Sequence, residues 1–311
     1  MNLAHVHLLL NHFPTVGFGI GLGLFLAALF AKSEELKRTS LIIFVVMALL
    51  SFATYVSGNA AQMVIKGREG VFDALVKAHQ DAALLAFIFM EVTGALAWLA
   101  LWQYRQTSRT QTWTVVTVLV LSITSFGLMA RAANLGGEIR HPEIATDADT
   151  GASSSPELIK TATIVASFVI DNPWVWPGSE TLHFIGLSLL FGIILTVNLR
   201  MLGVIRNVPF AAMHRLLPWG MVGLVINTAT GMLFFIAKPE QYTYNSAFQW
   251  KVVFLMLAGA NLLFLTVFDD AWIFGEGDEP AVPVKLVAAC SIFLWVGVIF
   301  FGRMLPYIGS E

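Results

Sequence analysis

Eight apolar runs, each about the length of one bilayer crossing, leave this chain few folds to choose from. A hydrocarbon core of about 30 Å is crossed by about 20 residues of α-helix, and in lipid a backbone must satisfy its own polar groups. The runs fall at 12–31, 40–58, 80–102, 113–133, 181–201, 216–237, 250–268 and 285–302. Lys, Arg, Glu, Pro and Gly separate them, as helix ends require. Only 12% of the 311 residues are charged, against about 25% in soluble domains. The sequence predicts an all-α, polytopic integral membrane protein.

The polar stretch 141–157 (HPEIATDADTGASSSPE) divides the runs into two sets of four. This predicts an N-terminal four-helix membrane domain over 1–142, a periplasmic linker over 143–179 and a C-terminal four-helix domain over 180–311. Residues 158–170 are too short to span and read as an interfacial or re-entrant helix. Asp147, Asp149 and Gly151 partly match a calcium loop but lack its closing Glu, and read as linker. The segments NHFPTVGFGIGLGLFL and TLHFIGLSLLFGIIL echo each other, each a His-Phe pair followed by a glycine-bearing apolar helix.

Composition excludes several classes. A net charge of −2 gives no case for nucleic acid. The only cysteine, Cys290, rules out a disulfide framework, and without C-x-x-C-H there is no covalent c-type haem. The first apolar run has no basic leader and is long enough to span, so no cleavable signal is expected.

Basic residues in short loops set orientation. Lys32, Lys37, Arg38, Arg105, Arg109, Arg200, Arg206 and Arg215 fall in short loops on one side; the opposite loops are longer and hold a similar total, with Lys66, Arg68 and Lys77 in one of them. The denser side reads as cytoplasmic, which places both termini in the periplasm of a bacterium. Of the seven histidines, His5, His7, His12, His79, His141 and His183 then map to the outer face and only His214 to the inner. Histidine tolerates the headgroup zone, but chance would scatter it over both faces. The clustering points to metal or haem chemistry at the outer face.

His12-Phe13-Pro14 at the head of the first run, with Leu135-Gly136-Gly137-Glu138 and His141 closing the fourth, resembles the membrane family of domain-of-unknown-function 2231. The resemblance covers about 1–142. That family closes its fourth helix with a Gly-His-Leu-Gly-Gly type motif; Asn134 stands here in place of the histidine, so no ligand carries over at that position. Members occur fused to Rieske or cytochrome domains, which implies respiratory electron transfer. In the second half, Glu180-Thr181-Leu182-His183, Asn198 to Gly203, Pro218-Trp219 and Thr230-Gly231 resemble another uncharacterised four-helix family, similar in style to copper-resistance and b-type cytochrome membrane domains.

Haem iron accepts axial histidines, and facing helices of a bundle can supply two of them. The expected pair is His12 with His79, and His183 with His141 forms a second centre, for one or two haem b groups. Arg131, Arg140 and Glu138 form a polar surround for propionates or a quinol head. Glu91 is the one carboxylate well inside a run and reads as a proton path, with Asn227 or Asn261 as neighbours. Gly17, Gly19, Gly21 and Gly23 read first as a helix-packing face. The leading expectation is a b-type-cytochrome-like electron-transfer protein, handling quinol and meeting a periplasmic cytochrome or Rieske-type partner. The alternatives are a copper-type metal permease using the same histidines and a non-catalytic membrane anchor of a redox complex.

Overall fold

The computed structural model describes residues 3–68, 71–141, 161–267 and 277–308. Among them are helices and no strand: α1 (Leu3–Leu10), α2 (His12–Ala31), α3 (Glu34–Ile65), α4 (Asp73–Thr107), α5 (Thr112–Arg140), α6 (Thr161–Asp171), α7 (Val175–Met201), α8 (Phe210–His214), α9 (Leu217–Ala237), α10 (Pro239–Thr243), α11 (Ser246–Val267) and α12 (Val282–Met304). Eight stretches are long and apolar enough to cross a membrane: α1 with α2 as Leu3–Ala31, the end of α8 with α9 as Ala212–Ala237, and α3, α4, α5, α7, α11 and α12 singly. The protein is an all-α, multi-pass membrane protein. Its helices form two units, Met1–Val165 and Ala166–Glu311. Asp147, Asp149 and Gly151 lie outside the described residues.

In the first unit the chain is helical from Leu3, so His5, His7 and His12 ride on one rod. The hydrogen-bond ladder of the rod is interrupted at Asn11, which keeps helical angles, because Pro14 has no N–H for the Leu10 carbonyl and its ring crowds that turn. Lys32 closes α2 in the left-handed region at φ 52°. Ser33 then caps α3, its Oγ accepting from the Leu36 N–H at 3.3 Å, with Glu34 and Glu35 favourably placed in the first turn. α3 packs on α1, α2 and α4, while α5 packs on α4 and α2, which closes a four-span bundle.

Small residues decide how closely these helices approach. Gly94 of α4 meets Ala48 of α3, and a Cβ on Gly21 would stand 3.0 Å from Phe44. Phe44 in turn packs against Phe18 at 4.8 Å and Phe25 at 5.9 Å. Gly17 faces Met47 of α3 and Gly19 faces Phe126 of α5, so the glycine run lets α2 wedge between two neighbours.

In the second unit α7 packs on α9 and α12, and α11 on α12. The α7–α9 pair touches backbone to backbone: a Cβ on Gly223 would lie 2.8 Å from the Gly186 carbonyl. Trp295 is buried among Leu190, Ile194, Ala258 and Val298. Arg200, read from sequence as a loop cation, is instead fully buried at the end of α7. Its Nε donates to the Val208 carbonyl at 2.6 Å and its guanidinium covers the Phe210 ring at 4.3 Å, clamping the turn between α7 and α8.

Candidate functional site

Three histidines lodge against a neighbouring helix in the same way. His7 on α1 places Nδ1 3.0 Å from the Thr54 carbonyl of α3, and its ring covers Gly58, where a Cβ would stand 3.2 Å from Cε1. His79 on α4 places Nδ1 2.8 Å from the Ala132 carbonyl of α5 and covers Gly136, with the corresponding distance 3.0 Å. His183 on α7 places Nδ1 2.8 Å from Thr230 Oγ1 of α9, beside the Asn227 carbonyl, and Gly231 lies under its Cε1 at 3.6 Å. Carbonyl and glycine are four residues apart each time (Thr54 and Gly58, Ala132 and Gly136, Asn227 and Gly231), so they stack on one helix face a turn apart. The glycine removes the side chain that would occupy the place of the ring.

The partner atoms fix the tautomer. A backbone carbonyl only accepts, so Nδ1 of His7 and of His79 carries the proton and Nε2 keeps its lone pair. At His183 the single hydroxyl proton of Thr230 goes to the Ile226 carbonyl at 2.7 Å, so Thr230 Oγ1 accepts from Nδ1–H. Anchoring one ring nitrogen on an oxygen and leaving the other as a lone pair is how proteins present a ligating histidine.

His7 and His79 both belong to the first unit, on α1 and α4. Gln80 Nε2 donates to Asn59 Oδ1 at 3.4 Å, which joins the residue after His79 to the residue after Gly58 and sets both histidine seats at one level of the unit. His12 lies five residues beyond His7, about 140° further round the rod, and is exposed, as is His5. The structure thus directs His7 into the bundle where the sequence reading chose His12.

The other expected residues scatter. Arg131 and Arg140 are exposed on α5, and His141 is exposed just past its end. Glu138 is buried and accepts from Asn134 Nδ2. His141 falls in the first unit and His183 in the second. Glu91 takes its hydrogen bond from Ser51 Oγ of α3 at 3.1 Å. Asn227 donates instead to the His183 carbonyl at 2.8 Å and Asn261 to the Val287 carbonyl at 3.3 Å, both within the second unit. His214 is buried at the end of α8. Among the described residues no group of three or more His, Cys, Asp or Glu side chains could hold a metal ion.

The second unit surrounds His183 with a distinct wall. Trp176, Glu180 and His183 share one face of α7, opposite Thr230, Phe234 and Lys238 on the antiparallel α9. Phe234 sits 5.0 Å from Trp176 and edge-on to His183 at 5.7 Å. Lys238 Nζ covers Trp176 at 4.9 Å, and Trp176 Nε1 donates to Glu180 Oε1 at 3.0 Å. Between the spans, burial and then the Glu180 charge push the Tyr242 phenol above its ordinary range.

Fold and sites define a multi-pass helical membrane protein that presents imidazoles at one end of each unit. Residues 177–308 match the model of a family of unknown function, DUF6644. That segment covers the four spans of the second unit and none of the first. No curated protein and no solved structure matches the chain.

Proposed function

We propose that the first unit holds a haem b between His7 and His79, and that the chain is a membrane electron-transfer protein. The observation behind this reading is that two imidazoles of the first unit each have Nδ1 tied to a backbone carbonyl and Nε2 left as a lone pair. Haem suits a site with two protein donors, because the macrocycle supplies the remaining ligands.

Bound haem would contribute a one-electron couple. The chain contributes the rest. The Thr54 and Ala132 carbonyls set the rotation of the two rings, and Gly58 and Gly136 leave the rings room. Glu91, bonded to Ser51 deeper in the same unit, is placed to hold a proton inside the span. The denser basic loops at the other end favour the periplasmic face of a bacterial inner membrane for the histidines, where a periplasmic cytochrome or Rieske-type protein would exchange electrons.

A pyridine haemochrome assay on protein expressed with ample haem tests this. One b-type haem per chain is expected; haem-free, folded protein refutes it.

A further inference from the structure

We propose that Glu91 joins two copies of this chain, its neutral carboxyl pairing with Glu91 of a second copy across a two-fold axis along the membrane normal. Glu91 stands near the middle of α4 (Asp73–Thr107), at a depth where lipid offers no hydrogen-bonding group. Its Oε1 accepts from Ser51 Oγ of α3 at 3.1 Å. Its Oε2 is not enclosed and has no hydrogen-bond partner among the described residues. Within the first unit α4 packs on α3 and α5, and Glu91 borders the side that neither covers. Ile88, a turn before it, and Val92, next to it, are both exposed. An ionisable side chain at this depth carries a large desolvation penalty and calls for a partner rather than hydrocarbon.

The chemistry of the carboxyl narrows the partner. Acyl chains have nothing to give Oε2. A neutral carboxyl carries both a donor and an acceptor, so it is complementary to itself. Ser51 donates to Oε1, which leaves the acid proton on Oε2. That proton goes to Oε1 of the facing carboxyl, whose own Oε2–H returns the bond, and each Oε1 receives it on its second lone pair. A two-fold contact sets a residue opposite its own copy, which is the symmetry this pair needs. Ala95, one turn beyond Glu91 and partly exposed, has no side chain past Cβ, so two α4 helices can approach closely there. The contact involves the first unit alone and does not depend on haem.

The test uses the full chain, labelled at its one cysteine, Cys290, in phosphatidylcholine vesicles of rising lipid-to-protein ratio. Single-molecule photobleaching counts the copies in each complex, and a dimer is expected. Glu91→Leu should weaken it by about ten-fold or more, whereas Glu91→Gln, whose amide also pairs with itself, should hold it within about three-fold. In a Cys290→Ser background, Ile88→Cys or Val92→Cys should form a disulfide between copies on mild oxidation. That cross-link reads the contact with Glu91 intact, should Glu91→Leu fail to fold. A monomer at every dilution, wild-type dimerisation by Glu91→Leu, or a dimer that neither cysteine cross-links overturns the proposal. A loss in Glu91→Gln as deep as in Glu91→Leu overturns it too, because the copies would then be held by charge rather than by a shared pair of protons. Haem uptake by a monomer would leave the electron-transfer reading standing and refute this one; a haem-free dimer would do the reverse.

Discussion

His79 on α4 gives its Nδ1–H to the Ala132 carbonyl of α5 at 2.8 Å, directly over Gly136. That carbonyl already accepts the helical N–H of residue 136, so the imidazole uses its second lone pair. The glycine therefore has two roles: it completes the helix bond to the same oxygen and it leaves the space in which the ring lies. The same arrangement holds His7 over Gly58 and places Gly231 under His183. A ring held at both its nitrogen and its face keeps one orientation, which is what a pre-organised ligand needs.

The glycine seats should be intolerant of bulk. Gly136→Val and Gly58→Val should expel the ring, cost about 1–3 kcal/mol and lower haem content per chain. Gly23→Ala, where nothing lies within 4 Å of an added Cβ, should be neutral or slightly stabilising. Thermal unfolding in detergent and the haem-to-protein ratio check all three.

Ser51 should matter only through Glu91. Ser51→Ala removes the donor to Glu91 Oε1 and should cost about 1–3 kcal/mol. With Glu91→Leu already in place, the same change should cost far less. A double-mutant cycle in thermal unfolding measures the coupling; additive costs would show that the two side chains act independently.

The fold was legible in the sequence because lipid demands long apolar helices, and hydropathy reports these directly. The histidine seats were legible only as histidines near one end of the spans. His12 stands beside Pro14 in a recognisable motif and drew the eye, whereas His7 lies ahead of the apolar run taken as the first span. Helix continuing back to Leu3 turns His7 inward and His12 outward, and periodicity could have warned of this once that extension was entertained. The carbonyl–glycine seats are contacts between helices, so their pattern appears only after the helices are paired. Arg200 misled for a related reason: loop arginines are counted as solvated, but this one is buried against Val208 and Phe210.

On the loop side of the second unit, Lys285 hydrogen bonds Glu279 at 2.6 Å and Arg206 lies 3.7 Å away. Lys285 first, then the Arg206 charge, hold the Glu279 carboxyl below its usual range. A depressed carboxyl stabilises the fold above the ordinary carboxylate range and loses that contribution as pH falls through its own lower value. Glu279→Gln should therefore lower the unfolding temperature at neutral pH, by a small amount because the pair is exposed and screened. The gap between variant and wild type should close in acid; a gap independent of pH would contradict this.

The central claim is that His7 and His79, rather than His12, carry the haem. The most direct measurement is the reduced-minus-oxidised visible spectrum of the detergent-purified chain with each histidine replaced by alanine in turn. The account predicts a b-type spectrum in wild type and in His12→Ala, and its loss or conversion to a high-spin form in His7→Ala and His79→Ala. A colourless wild type, or a spectrum that survives both of those replacements and disappears with His12→Ala, would contradict it.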